Sequence, residues 1–137
     1  MGQSQPFRAT ALIVEDDALQ REMIGLLLEE SQFDIIECES AEAAEIVLQR
    51  RGDSVSLMMT DVNLAGTMNG VELAHIAKQC NPEIDVIVTS GLPLRQELPD
   101  GARFWSKPWA PLDILRVAER MAFAHTDPAT AKPRLPS

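Results

Sequence analysis

Leu57-Met58-Met59-Thr60-Asp61 is a short apolar run that ends on a carboxylate, and the segment after it, Val62 to Gly70, is rich in turn formers. An apolar run of this length between turn signals reads as a buried strand of a parallel sheet. The C-terminal end of such a strand is where open α/β sheets bind their ligands. Asp61 is therefore the leading candidate for the functional side chain.

Working outward, the same pattern recurs. Ala9 to Val14, Asp34 to Cys38, Val86 to Ser90 and Arg103 to Trp105 read as further strands, the fourth of these five β-branched almost throughout. Helical patterns fall between them. After the first strand, Leu19, Met23, Leu26, Leu27 and Glu30 follow the 3.6-residue period, so the apolar members are expected to face the core, with Asp17 as N-cap. Ser40 is expected to cap a helix from Ala41 to about Arg51 that presents Ala44, Val47 and Leu48 inward and ends at Gly52. A third helix is expected over Val71 to Gln79. A last one opens at Pro111 and runs to about Ala124, with Leu112, Leu115, Ala118 and Ala122 inside. Strict alternation of strand and helix calls for a three-layer α/β fold. The expected form is a doubly wound, five-stranded parallel sheet of order 2-1-3-4-5, of the flavodoxin-like kind.

That topology gathers polar residues scattered along the chain. Glu15 and Asp16 follow the first strand, Asp61 ends the third, Ser90 ends the fourth, and Lys107 follows the fifth. All fall on one rim. Three crowded carboxylates cannot all stay ionised without compensation, and a hard divalent cation such as Mg²⁺ supplies it through oxygen ligands. The expected set is Asp16 and Asp61 as direct ligands, Glu15 through water, and the backbone carbonyl of Asn63. Asp61 then reads as a nucleophile able to form an acyl phosphate. Lys107 would supply a second cation, and Ser90 and the backbone N–H groups after Asp61 would donate to phosphoryl oxygens.

Composition narrows the classes. The 137 residues suit one domain, with 45% hydrophobic residues and a formal net charge of -9. That charge disfavours nucleic acid and anionic membranes as direct partners. No apolar run approaches membrane-spanning length and no secretion signal opens the chain, so a cytoplasmic location is expected. Cys38 and Cys80 have neither metal-type spacing nor a disulfide framework. Residues 1–8 read as a lead-in, 9–125 as the domain, and 126–137, with three prolines, as a disordered tail.

The set Val14-Glu15-Asp16, Asp61, Ser90 and Lys107-Pro108 resembles the receiver domain of bacterial two-component response regulators, over about Ala9 to Ala124. The resemblance implies that Asp61 is the phosphoacceptor and that Glu15 and Asp16 are the acidic pair. It further implies that Ser90 is the switch hydroxyl, Lys107 the active-site lysine, and Phe104 the aromatic whose rotamer follows phosphorylation. It implies Mg²⁺ as cofactor and a histidine kinase or histidine phosphotransfer protein as donor. Such a domain is a phosphoacceptor, with at most self-phosphorylation and autodephosphorylation activity. Departures from the family pattern are the loop Leu64-Ala65-Gly66 where Leu-Pro-Gly is usual, and a segment from Asp61 to Gly70 that is one residue longer than usual. Only 16 residues, rich in turn formers, separate Ser90 from Lys107, so the family's fourth helix is expected to be lost or reduced to a turn. No output domain is legible after the last helix, so output is expected to run through another, unknown protein. Two competing readings are a Mg²⁺-dependent phosphohydrolase with an aspartyl-phosphate intermediate and a phosphorylation-independent binding module. An exposed Trp109 is a candidate for a partner-binding patch.

Overall fold

The computed structural model describes residues 8–126, and the expectations for the lead-in and the tail fall outside these apart from Arg8 and Thr126. The elements are β1 (Thr10–Val14), α1 (Ala18–Glu30), β2 (Asp34–Cys38), α2 (Ala41–Arg51), β3 (Leu57–Asp61), α3 (Gly70–Cys80), β4 (Asp85–Ser90), β5 (Arg103–Ser106) and α4 (Pro111–Thr126). All strand pairs are parallel, in the order β2-β1-β3-β4-β5. The central strands are apolar on both faces because both are covered. Leu12, Val14, Met58, Val86 and Val88 pack with Ala44 and Leu48 of α2 and with Leu73, Ala74 and Ala77 of α3. The alternate residues Ala11, Ile13, Leu57, Met59 and Ile87 pack with Ile24 and Leu28 of α1 and with Ile114, Val117 and Ala118 of α4. The edge strands β2 and β5 each bury less and expose Asp34 and Glu37, and Arg103 and Ser106, respectively; such charged and polar positions blunt an open sheet edge.

Helix starts follow side-chain capping. Asp17 accepts from the N–H groups of Leu19 and Gln20, and Ser40 accepts from Ala43. Asn69 forms a reciprocal capping box with Glu72, so α3 begins at Gly70, one residue before its expected start. At Gly70 a Cβ would lie 1.9 Å from the carbonyl oxygen of Asp61. Glycine is what lets α3 begin directly against the end of β3. Gly52 ends α2 as expected, but with φ -60 rather than in the left-handed region, and the chain tightens into a 3₁₀ turn over Gly52–Ser54.

Two expected inner faces are corrected. On α1, Leu19, Met23 and Leu26 are 80%, 41% and 56% exposed, and Ile24, Gly25 and Leu28 are the buried residues. The helix carries two apolar stripes, and periodicity alone does not choose between them. Only Leu27 of the expected set touches the core, from its margin. On α4, Leu112 and Ala122 face outward, while Ile114, Val117 and Ala118 are buried.

No helix forms between β4 and β5, as the turn-rich composition led us to expect. Residues 91–102 lie as an irregular strap over α3. Leu94, Leu98 and Ala102 pack against the core on that side. The side-chain amide of Asn69 donates to Gln96 Oε1 at 2.7 Å, and His75 Nε2 lies 2.9 Å from the carbonyl oxygen of Glu97. A carbonyl can only accept, so that ring nitrogen carries the hydrogen.

The two stripes of α1 should separate in stability measurements. Leu28→Ala is expected to cost about 2–5 kcal/mol in urea unfolding, as for other buried leucines. Leu26→Ala should stay within about 0.5 kcal/mol of wild type, as for exposed sites. Equal losses would contradict the burial described here.

Candidate functional site

The rim at the C-terminal ends of β1, β3 and β5 is assembled by register. Val14 is opposite Thr60, Asp61 is opposite Thr89, and Ser90 is opposite Ser106. Successive residues past the strand ends therefore meet: Glu15 after Val14, Asp61 itself, and Lys107 after Ser106. Lys107 Nζ donates to Asp61 Oδ2 at 2.8 Å and lies 3.9 Å from Glu15 Oε1. The backbone holds the lysine in place through its N–H, which donates to the Ser90 carbonyl at 2.8 Å. Of the expected site residues, Glu15, Asp61 and Lys107 are thus in one cluster. Asp16 is exposed and close enough to hydrogen-bond Glu15 and to act on Lys107 by its charge.

Burial controls the electrostatics. Glu15 is 4% exposed, and loss of solvent pushes its pKa up to about 7. The N–H of Asp17 opposes this by donating to Glu15 Oε2 at 3.1 Å. The hydrogen bond with Asp16 and the charge of Asp61 push the pKa up further, and Lys107 offsets them only partly. For Lys107, partial burial works against the charged form. The hydrogen bond and charge of Asp61, with Glu15 and Asp16 behind it, outweigh that, and the pKa ends above the usual lysine value. Lys107 is therefore an ammonium at neutral pH, held against the carboxylate of Asp61.

Around Asp61, the backbone donors divide. The N–H of Val62 donates to the Thr89 carbonyl at 2.8 Å and is committed to the sheet. The N–H of Asn63 points at Asp61 Oδ1, at 3.3 Å. Of the first two N–H groups after Asp61, only the second faces the site, which narrows the expectation. Ser90 is buried and its Oγ accepts from the Leu92 N–H at 3.1 Å, which leaves its own hydrogen to donate elsewhere. Among the described residues no hydrogen bond joins it to Asp61. Phe104 is half-buried opposite Val88, and strand alternation puts it on the sheet face that Ser90 shares. Trp109 is half-buried as well. It packs against the core beside α4 and tilts onto Trp105 with ring centroids 6.2 Å apart, so the expectation of a freely exposed ring is corrected.

The donor set can be tested for a metal. Among the described residues, no three acidic, histidine or cysteine side chains are gathered so as to hold a metal ion by themselves. What the rim offers is open: the carboxylates of Asp16 and Asp61, with the buried Glu15 behind them. Among the described residues, Lys107 relieves their excess negative charge, while Arg21 is paired with Glu37. An open, all-oxygen, anionic set of this kind fits Mg²⁺, which keeps several of its own waters.

Two residues missed in the sequence complete the site. Arg21, on α1, donates from Nη1 to the Glu15 carbonyl at 2.7 Å and pairs with Glu37 at 3.3 Å, so it braces the peptide that carries the acidic pair. Glu42, at the start of α2, binds the loop after Asp61. In the sequence it reads only as an acid favourable to a helix N-terminus.

Comparison with known proteins agrees with this geometry. The family described as "Response regulator receiver domain" matches residues 11–115. Response regulator receiver protein CpdR of Brucella abortus (strain 2308) is 27% identical over 118 residues, covering 82% of this chain and 96% of that protein. A cyclic di-GMP phosphodiesterase of Thermotoga maritima is 38% identical over 81 residues, 59% of this chain. This chain spans only 21% of that relative's length. Among solved structures, a response regulator receiver protein from Sinorhizobium medicae WSM419 superposes with a TM-score of 0.75 at 19% identity, covering 85% of this chain and 96% of that one. The receiver domain of the hybrid histidine kinase CckA gives 0.72 at 22%, covering 83% and 99%. These two likenesses establish the shared fold.

The buried carboxylate sets a pH dependence. An unfolded chain loses the Glu15 proton near 4.5, and the folded one near 7. The folded state binds more protons between those values, so Glu15 makes stability fall as pH rises through that window. Without divalent cation, the melting temperature of Glu15→Gln should fall less between pH 5 and pH 8 than that of wild type. Parallel curves would contradict the assignment.

Proposed function

This chain belongs to the response regulator receiver domain family, and on that premise we propose that Asp61 accepts a phosphoryl group from a histidine kinase or histidine phosphotransfer protein. The modified domain then signals by contact with another protein. The observation that carries the reading is the Lys107–Asp61 ion pair at 2.8 Å, set beside a buried glutamate at the mouth of the sheet.

In the transfer, an oxygen of Asp61 attacks phosphorus while the bond from phosphorus to the donor's imidazole nitrogen breaks. The imidazole leaves with the electron pair and remains as the neutral ring once protonation is balanced with solvent. Lys107 moves its hydrogen bond from the carboxylate to a phosphoryl oxygen, and the Asn63 N–H supplies a second donor. Mg²⁺, when bound, neutralises charge on the phosphoryl oxygens. Asp16, Asp61 and the Asn63 carbonyl would hold it, with Glu15 acting through water. The exposed stripe of Leu19, Met23 and Leu26 begins just after the acidic pair and gives the donor protein an apolar surface close to the rim.

Once phosphorylated, the domain draws the free hydrogen of the Ser90 hydroxyl toward the new group. The strap at 91–102 is tied to that hydroxyl through Leu92, and Phe104 lies on the same face, so both respond. The output surface is therefore this strap with β5, where a helix would otherwise stand. Turnover as a phosphohydrolase is not favoured. Asn63, two residues after Asp61, cannot act as a general acid, and the phosphodiesterase name belongs to a relative that this chain matches over about a fifth of its length. No helix among the described residues is long and apolar enough to cross a membrane.

Incubation with a small phosphoryl donor and Mg²⁺ should add one acid-labile phosphate, detected by intact-protein mass spectrometry. Asp61→Asn should take none. Lys107→Met should lose about 10²-fold in phosphotransfer rate, the scale of removing one preorganised donor. Retained acid-labile labelling in Asp61→Asn would falsify the assignment.

A further inference from the structure

We propose that Glu42 is a positioning residue for the chemistry at Asp61: its carboxylate latches the β3–α3 loop to the start of α2 and so fixes Asn63 beside the acceptor. The inference rests on the reading of Asp61 as phosphoacceptor.

The loop is held firmly at its ends by backbone. The Val62 N–H donates to the Thr89 carbonyl at 2.8 Å, and the Gly70 N–H donates to the Val62 carbonyl at 2.8 Å. Between them the chain bulges out over residues 63–69. Oε2 of Glu42 accepts three hydrogen bonds from that bulge, each 3.2 Å: from the Thr67 N–H, the Thr67 hydroxyl and the Met68 N–H. Among the described residues, no other side chain hydrogen-bonds residues 64–68. An ionised carboxylate suits the task because it only accepts, and each of its oxygens takes more than one donor.

Two further features place the latch. Ser40, the N-cap of α2, pairs with Ala65 in an isolated parallel bridge, so the bulge lies alongside the helix start. Gly66 has φ +98, and a Cβ there would lie 2.7 Å from Glu42 Oε1. The loop approaches the carboxylate this closely only because residue 66 has no side chain. The corner carrying Ser40 and Glu42 is in turn tied to the acidic pair, since the Glu15 N–H donates to the Cys38 carbonyl at 3.1 Å. One corner of the fold thus sets both walls of the site: the peptide of Glu15 on one side and the loop of Asn63 on the other.

Asn63 lies between the fixed strand end and the latched bulge, with its N–H at 3.3 Å from Asp61 Oδ1. Released from Glu42, residues 63–68 would keep the Ser40–Ala65 bridge, the Asn63 contact with Asp61 and the apolar packing of Leu64 and Met68, but would lose every side-chain hydrogen bond that holds Thr67 and Met68. With the far side of the bulge freed, the Asn63 backbone would sample more orientations, and a donor that must be in place before phosphoryl transfer would lose part of its preorganisation.

The test pairs two measurements on the full chain. Hydrogen exchange is read by NMR at Asn63, Thr67 and Met68. The rate of Asp61 phosphorylation is read with acetyl phosphate and Mg²⁺. In Glu42→Ala, exchange at Thr67 and Met68 should speed at least about tenfold and phosphorylation should slow about tenfold, while the β3 amides keep wild-type exchange. Glu42→Gln, which keeps an accepting oxygen, should recover part of both. Gly66→Ala, which pushes the loop off an intact Glu42, should repeat the Glu42→Ala pattern and serves if that variant does not fold. Unchanged exchange would overturn the latch. Faster exchange with phosphorylation within about twofold of wild type would overturn the positioning role. A wild-type protein that takes no phosphate would instead overturn the acceptor reading beneath it, with exchange still reporting on the latch.

Discussion

The contact between Lys107 and Asp61 organises this molecule. It joins the ends of β5 and β3 across the intervening β4, and it fixes an ammonium against the carboxylate proposed to accept phosphorus. A partly buried ion pair of this sort is a weak source of stability, because desolvation takes back much of what attraction gives. Its value is positional. Lys107 can reach Asp61 only if β5 is in register with β4 and β4 with β3, so the pair requires the order and register of that half of the sheet.

The remaining charges at the rim are unbalanced. Glu15 has lost its solvent and sits near two other acids, so the site favours a positive charge on its open side. Among the described residues, no cationic side chain fills that position. Arg21, the nearest alternative, is turned away to the Glu15 carbonyl and to Glu37. The fold therefore maintains an acidic mouth with one fixed cation at its back, which suits the approach of a dication together with a phosphoryl group.

Much of this was legible in the sequence, and the reasons differ by feature. Strand positions were readable because central strands of a doubly covered sheet must be apolar throughout, as in Leu57-Met58-Met59 and Val86-Ile87-Val88. The rim followed because polar residues at strand ends have only one place to go. The missing helix was readable from Pro93, Pro99, Gly91 and Gly101, which leave no room for one. Helix faces were harder. In α1 the stripe Leu19, Met23, Leu26 satisfies the helical period as well as Ile24 and Leu28 do, and only packing against Ile13 and Ile35 decides which turns inward. Arg21 and Glu42 were invisible because each reaches the site through backbone groups, the Glu15 carbonyl and the N–H groups of Thr67 and Met68, whose positions no residue type reports.

The account depends on Asp61 being a carboxylate that receives phosphorus in an acidic, metal-binding mouth. The most direct measurement is a crystal structure grown with Mg²⁺ and beryllofluoride, a tetrahedral stand-in for the phosphoryl group. The account predicts the adduct on an oxygen of Asp61, Lys107 turned to one of its fluorines, and Mg²⁺ touching Asp16 and Asp61. A structure with both reagents present, Asp61 unmodified and its contact with Lys107 unchanged would contradict it.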